Sequence, residues 1–306
     1  MSRTLLFHRD FREYTGGHGK VWNYFNHAKA HPEWDASIYL TPTSSRGDNP
    51  WIGAASEIVV EWDVASADAL FLAGMDWAAY PADDSRRPVI NLVQHVRHAD
   101  PAHPLYAYLP RHAIRICVSQ AVADSILATG KVNGPVRVIP AALDLPLINR
   151  PVIGREGVFI GATKDPVLGA ALRERLLAGG QKVVLVSSTR PRQEFLNQMA
   201  NCRVAVLLPS PTEGFYLPAL EAMALGCATV VPDCVGNLQY LRPEVNALVP
   251  EHELEPILAA VERLADRALA AKLTAAGLVD VRAFDLPGER AAFHSVLDEL
   301  DQLWKC

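Results

Sequence analysis

Two glutamates in the stretch SPTEGFYLPALEAMALG (210–226) are the residues of this chain most able to do chemistry. Glu213 lies in a predicted loop beside a glycine and two aromatic residues, and seven residues separate it from Glu221, a turn into the helix predicted next. Amides at a helix N-terminus favour anionic or hydroxyl-rich ligands, and carboxylates accept hydrogen bonds from sugar or ribose hydroxyls. Alternatively, Glu213 is a charge at a helix N-terminus and Glu221 belongs to a solvated helix face.

Short apolar runs that alternate with helical patterns must position these glutamates. Runs such as TLLF (4–7), PVINLVQH (88–95) and IRICVS (114–119) predict strands, and the pattern restarts at GVFIGA (157–162). A glycine loop is predicted at 15–19, before a helix over 20–31. The repeated strand–helix order predicts an α/β fold with mostly parallel sheets.

Two doubly wound, Rossmann-like domains are predicted, with a join near residues 146–156. The first covers residues 1–150 and the second covers 151–288, and a last helix at 289–306 is expected to pack back on the first. Ligands of open parallel sheets bind at the carboxyl ends of the strands. We therefore expect the site in a cleft between two facing domains.

The bulk composition narrows the class of protein. The chain has 306 residues and a formal net charge of -5, so it has room for two cores and no basic field to attract nucleic acid. No apolar run reaches the roughly 18 residues of a membrane span, and the N-terminus does not resemble a signal peptide. The five cysteines lack the spacing of a zinc site, which favours a reducing compartment. We predict a cytoplasmic protein, with peripheral association at the inner face of a membrane left open.

The glutamate stretch and the segment after it, EGFYLPALEAMALGCATVVPD, resemble the signature of retaining GT-B glycosyltransferases, especially glycosyltransferase family 4. Three further segments resemble parts of that family in the expected order. They are YTGGHGKVWNYFNHA near the N-terminus, NLVQH ending at His95, and ICVSQAVADSILATG with VRVIPAALD in the middle of the chain.

The resemblance implies a donor site for a nucleotide-diphosphate sugar. It implies that Glu213 binds hydroxyls of the transferred sugar, that Glu221 holds the ribose, and that His95 contacts the sugar or the forming charge. It also implies that backbone amides line the sugar and the phosphates, at Gly16, Gly17, Gly214, Phe215, Tyr216 and Leu217. In such enzymes the protein mainly positions reactants and stabilises charge, without a metal or another cofactor.

Several positions depart from the family pattern. Where the family carries an arginine of its diphosphate clamp, FIGATKDP has Ala162, so Lys164 or the pair Arg190 and Arg192 is expected to serve instead. Each of these cations is alternatively a solvated surface charge. Tyr216 replaces a glycine, which would narrow the donor pocket or add a stacking face. Gln239 stands where the family has an acid.

The remaining candidates have structural alternatives. His95, His98 and His103 are irregularly spaced with no carboxylate or cysteine to complete a metal site, so we expect no metal and a structural role for His98 and His103. The glycines at 16, 17 and 19 do not form a dinucleotide fingerprint and can equally form a turn without a ligand.

We therefore expect a retaining, metal-independent glycosyltransferase that uses a nucleotide-sugar donor and a glycan or lipid-linked glycan acceptor. Another GT-B enzyme, such as a sugar-nucleotide epimerase or a phosphorylase-like enzyme, is the first alternative. The altered clamp favours a different one, a GT-B-like binding subunit that has lost turnover.

Overall fold

The computed structural model describes residues 2–80, 87–145 and 154–305. The chain divides into two compact units, one formed by Met1–Ala141 with Pro287–Cys306 and the other by Ala142–Leu286. The predicted join near residues 146–156 lies largely outside the described residues, so the domain division made from the sequence stays a prediction.

The first unit is built on a seven-stranded sheet in which every pair of neighbouring strands is parallel. Its strand order is β3-β2-β1-β4-β5-β6-β7. The strands are β1 (Arg3–Arg9), β2 (Trp34–Leu40), β3 (Ile58–Val59), β4 (Ala69–Ala73), β5 (Val89–Val93), β6 (Ile114–Cys117) and β7 (Val136–Val138). Every residue of β4 and β5 is buried, as their continuous apolar runs predict for strands covered on both faces.

Within the described residues, two α-helices connect strands of this sheet, α1 (Gly16–Lys29) after β1 and α2 (Gln120–Leu127) after β6. The predicted glycine loop at 15–19 is wrong, because Gly16 and Gly17 form the first turn of α1. Thr15 is the N-cap, and its side chain accepts a hydrogen bond from the His18 amide at 3.3 Å. This cap offsets part of the low helix propensity of the glycines.

The second unit contains a four-stranded parallel sheet with the order β11-β10-β8-β9. The strands are β8 (Val158–Gly161), β9 (Val183–Val186), β10 (Val204–Leu207) and β11 (Ala228–Val230). Its helices are α3 (Pro166–Ala178), α4 (Arg192–Ala200), α5 (Leu217–Ala224), α6 (Leu254–Arg263) and α7 (Arg267–Asp280). Apolar side chains from β8, β10 and β11 pack against α3, α6 and α7 to form the core. The predicted α/β class with parallel sheets is confirmed.

The chain ends with α8 (Leu286–Asp298) and α9 (Leu300–Leu303), which belong mainly to the first unit. Glu289 of α8 is buried and pairs with Lys20 and His27 of α1. His31, just after α1, pairs with Asp298 at 3.1 Å. The Lys20–Glu289 ion pair and these two histidine–carboxylate contacts attach the C-terminal helix to α1. None of the helices in the described part of the chain has the length and apolar character needed to span a bilayer.

Candidate functional site

The two glutamates lie on one loop–helix segment at the carboxyl end of β10, a central strand of its sheet. The chain leaves β10 after Leu207, and the Glu213 amide donates to the Ser210 carbonyl oxygen at 3.1 Å, which turns the loop. Pro218 lies in the first turn of α5, where its missing N–H is tolerated. This placement matches the strand-end position expected for ligand-binding residues.

Glu221 is buried, with only 1% of its surface exposed. Its Oε1 atom lies 2.5 Å from Arg192 Nη1, at the N-terminus of α4. The contact is an ion pair, but the arginine N–H groups do not point at Oε1. Glu221 Oε1 therefore accepts no hydrogen bond from the described residues. The solvated-face interpretation of Glu221 is therefore wrong. A buried carboxylate oxygen that receives an ion-pair contact and no hydrogen bond from the described residues can accept one from a ligand hydroxyl.

Glu213 has its own cation. Lys164, which follows β8, lies with Nζ 3.3 Å from Glu213 Oε1. Half of the Lys164 side chain is exposed, against 17% for Glu213, so the pair borders the solvent. Because β8 and β9 are neighbours in the sheet, the two adjacent strand ends each supply one cation to one glutamate.

Arg190 pairs with neither Glu213 nor Glu221. Its Nη1 atom donates to Glu194 Oε1 at 2.8 Å, and both side chains are more than one third exposed. An exposed pair of this kind contributes little to stability. Of the two arginines of the STRPR segment, Arg192 contacts Glu221 and Arg190 pairs with Glu194 on the surface.

Part of the backbone between the two glutamates forms hydrogen bonds within the same loop. The Leu217 amide donates to the Phe215 carbonyl oxygen at 3.1 Å. The amides of Phe215 and Tyr216 donate no hydrogen bond within the described residues. Both side chains are buried, and the Tyr216 hydroxyl donates to the Leu208 carbonyl oxygen at 3.4 Å. Tyr216 therefore has no exposed stacking face, and what these two residues can offer a ligand is their amides.

A second loop, after β11, supports the glutamate loop through contacts that the sequence did not predict. The Gly236 amide donates to the Glu213 carbonyl oxygen at 2.9 Å, and the Val235 amide donates to the Pro211 carbonyl oxygen at 3.1 Å. The Tyr240 hydroxyl donates to the Tyr216 carbonyl oxygen at 2.6 Å. Burial raises the pKa of Tyr240, which keeps the proton on this donor. The glycine in CVGNLQYL was the available signal.

In the first unit, the residue before His95 contacts the predicted glycine segment. Gln94 Nε2 donates to the Gly17 carbonyl oxygen at 3.3 Å, which joins the end of β5 to the first turn of α1. His95 is half-buried, and its Nδ1 accepts from the Arg97 amide at 3.0 Å. The proton of neutral His95 is therefore on Nε2. Gln94 had not been singled out in the sequence.

The other two histidines of this segment have structural roles. His98 is buried, and burial lowers its pKa from 6.5 to about 3, so it is neutral. His103 Nδ1 accepts from the Leu105 amide at 3.2 Å and caps a short helical turn. Across residues 2–80, 87–145 and 154–305, no three His, Cys, Asp or Glu side chains group as a metal site.

Comparisons with known proteins show which family model and which solved structures the chain is similar to. Residues 124–267 match the family model described as "Glycosyl transferases group 1". No curated protein sequence is significantly similar to the chain. Among solved structures, HepE from Anabaena in complex with UDP and glucose has a TM-score of 0.78 at 13% identity, over 97% of this chain and 100% of HepE.

Two further structures are similar over nearly their whole length. Sucrose-phosphate synthase from Thermosynechococcus elongatus has a TM-score of 0.70 at 14% identity, over 98% of this chain and 99% of that chain. The lipopolysaccharide outer core galactosyltransferase WaaB has a TM-score of 0.66 at 13% identity, over 97% and 99%. The fold is the GT-B fold of glycosyltransferases. Residues 124–267 match the group 1 glycosyl transferase model, and together with the fold this confirms the predicted resemblance at the level of the GT-B glycosyltransferases.

Proposed function

We propose that this protein transfers a sugar from a nucleotide-diphosphate sugar to a glycan or lipid-linked glycan acceptor, with retention of the anomeric configuration. The group 1 domain and the GT-B fold support the glycosyltransferase class. The HepE structures contain UDP with glucose, or UDP-glucose, which supports a nucleotide-sugar donor for a chain of the same fold.

The observation that carries the proposal is the buried Glu221 carboxylate, whose Oε1 accepts no hydrogen bond within the described residues. The Arg192 guanidinium offsets the charge of this carboxylate, and a ribose hydroxyl would supply the hydrogen bond that Oε1 does not receive within the described residues. Glu213 would hold the transferred sugar through its hydroxyls. The amides of Phe215 and Tyr216, at the start of α5, would meet the negative charge of the diphosphate.

His95, Gly16 and Gly17 complete the proposal from the first unit. Nε2 of neutral His95 carries a proton that can be donated to the transferred sugar or to charge forming on it. Gly16 and Gly17 would let the backbone of the first turn of α1 approach the donor phosphates, with Gln94 fixing Gly17.

We propose that no metal takes part. The configuration of the product, determined by NMR with and without EDTA, tests retention and metal independence together, and inversion or loss of activity on chelation contradicts them.

The experiment that tests the proposed function is a thermal-shift screen against UDP, GDP, dTDP and ADP sugars. A ligand that binds the folded protein and not the unfolded chain raises the apparent stability, by about 2.7 kcal/mol at a hundredfold excess over Kd. We expect one nucleotide sugar to raise the melting temperature and the corresponding free sugar to leave it unchanged. If none of these nucleotide sugars raises it, the donor site proposed here does not exist.

A binding subunit without turnover is the second candidate, and Ala162 is the observation that favours it. This residue is fully buried at the end of β8, where it cannot supply the charge of a diphosphate clamp. Hydrolysis of the bound nucleotide sugar by the purified chain separates the two candidates. Slow hydrolysis is expected of a transferase, and binding without any hydrolysis or transfer favours the subunit.

A further inference from the structure

The three cations that could replace the missing clamp arginine have three different partners in the second unit. Lys164 pairs with Glu213, Arg190 pairs with Glu194 on the surface, and Arg192 pairs with Glu221. Arg190 and Arg192 therefore have different partners, although only Pro191 lies between them in the sequence.

Arg192 links the buried glutamate to the solvent. It is the first residue of α4, and one third of its side chain is exposed, against 2% of the Glu221 side chain. Its guanidinium carries five N–H donors in a planar fork, so a contact to Glu221 through Nη1 is compatible with a second contact to a phosphate.

We infer that Arg192 binds the phosphate next to the ribose of the nucleotide and so supplies the arginine of the diphosphate clamp from the first turn of α4. This inference rests on the proposed function, in which Glu221 holds the ribose. The 5′-phosphate of a nucleotide is attached to the same ribose, so the cation that touches Glu221 is the one placed to reach it. Lys164, beside Glu213, stands at the sugar end of the same diphosphate.

The competing explanation is that Arg192 only neutralises the charge of buried Glu221. The two explanations differ in which part of the ligand senses the arginine. A phosphate contact affects binding of a nucleoside diphosphate and leaves binding of the nucleoside nearly unchanged. A purely neutralising arginine affects both ligands through Glu221, and its effect disappears once Glu221 is made neutral.

The test combines Arg192→Gln with Glu221→Gln and uses Arg190→Gln as the matched control. Calorimetry first measures the affinities of UDP, GDP, dTDP and ADP for the wild-type protein. For each variant, it then measures the affinity of the nucleoside diphosphate that binds wild type and the affinity of the corresponding nucleoside. In the Glu221→Gln background, Arg192→Gln should weaken diphosphate binding about tenfold or more, the scale of a charge-assisted hydrogen bond. Nucleoside binding should change less than twofold, and Arg190→Gln should leave both affinities unchanged.

Further readouts separate the possible failures. Arg192→Lys should restore part of the diphosphate affinity, and Arg192→Gln should reduce its dependence on salt concentration. Far-UV circular dichroism with an unchanged melting transition confirms that each variant is folded. If wild type binds no nucleoside diphosphate, the proposed function fails together with the inference. If wild type binds a nucleoside diphosphate, the inference alone is overturned by either of two results in the Glu221→Gln background. Arg192→Gln weakens binding of the diphosphate and of the nucleoside equally, or it weakens neither.

Discussion

Gly236 lies so close to Gly214 that a Cβ atom on Gly236 would stand 2.1 Å from the Gly214 carbonyl oxygen. The same Cβ atom would stand 2.7 Å from the Phe215 nitrogen. Atoms that are not bonded do not approach this closely, so any side chain at Gly236 must move one of the two loops. Because the Gly236 amide also donates to the Glu213 carbonyl oxygen, the loop after β11 fixes the backbone that carries Glu213.

Gly236→Ala should therefore displace the Glu213 loop. We expect a loss of about 1–3 kcal/mol in the free energy of unfolding, the scale of overpacking a dense interior, and weaker binding of the nucleotide sugar. Gly179→Ala is the matched control, since a Cβ atom there meets its nearest neighbours at 3.5 and 3.7 Å. Urea unfolding and calorimetry provide the measurements. A Gly236→Ala protein that unfolds and binds like the Gly179→Ala protein would show that the close approach has no consequence.

The buried contacts of Glu289 with Lys20 and His27 should stabilise the attachment of α8 to α1. Glu289→Gln leaves Lys20 charged in a buried position without its carboxylate, at a cost of about 3 kcal/mol or more in the free energy of unfolding. Glu57→Gln is the control, because it removes the partner of Lys29 in a pair that is partly exposed and should cost less than about 1 kcal/mol. Denaturant unfolding of both variants gives the comparison, and equal losses would mean that burial of the Glu289 pairs adds no stability.

The stability of the protein should fall in acid, and His98 should account for part of the fall. Burial lowers the pKa of His98 from 6.5 to about 3. Between these two values the unfolded chain binds a proton that the folded protein does not, so the free energy of unfolding decreases as the pH falls. The slope for one such group is about 1.4 kcal/mol per pH unit.

Replacing His98 by Asn should make the pH dependence between pH 6 and 4 shallower by about that slope. Leu105→Ala is the control, because it removes buried apolar atoms and should lower stability equally at every pH. The free energy of unfolding is measured in urea at several pH values. An unchanged slope in His98→Asn would show that His98 takes no part in the acid sensitivity.

The sheets and the location of the glutamates could be predicted from the sequence because parallel strands appear as continuous apolar runs and strand ends collect polar residues. The start of α1 was predicted wrongly, since three glycines read as a loop until the Thr15 cap is known. Strand β3 was missed because its two residues, Ile58 and Val59, are too few to show a period.

The supporting contacts of the site could not be predicted because they join segments that are distant in the sequence. Arg192 reaches Glu221, and Gly236 supports Glu213, only once β9, β10 and β11 have been ordered in the sheet. The sequence marked Arg192 as a candidate for the diphosphate clamp and Gln239 of the CVGNLQYL segment as a departure from the family pattern. Their partners depend on strand order and loop direction, which a single sequence does not fix.

His95 is predicted to act in turnover more than in nucleotide binding. On the proposed function, His95→Ala should leave the affinity for the nucleotide nearly unchanged and lower kcat by a factor on the order of 100, because only the transition state senses the loss. His103→Ala is the matched control, since His103 also caps a helical turn through Nδ1. Affinity and turnover are measured on one preparation. Parallel losses in both would assign His95 to ground-state binding, and no loss in either would make it structural.

The central claim, that the nucleotide is held through Glu221, is tested most directly by calorimetric titration of Glu221→Ala with the nucleoside diphosphate that wild type binds. Removing hydrogen bonds from ribose hydroxyls to a carboxylate should weaken binding by about 1–3 kcal/mol. Glu213→Ala, the control on the same loop, should leave nucleoside diphosphate binding nearly unchanged and weaken binding of the nucleotide sugar alone. If folded Glu221→Ala binds the nucleoside diphosphate as tightly as wild type does, Glu221 does not hold the nucleotide and the account is contradicted.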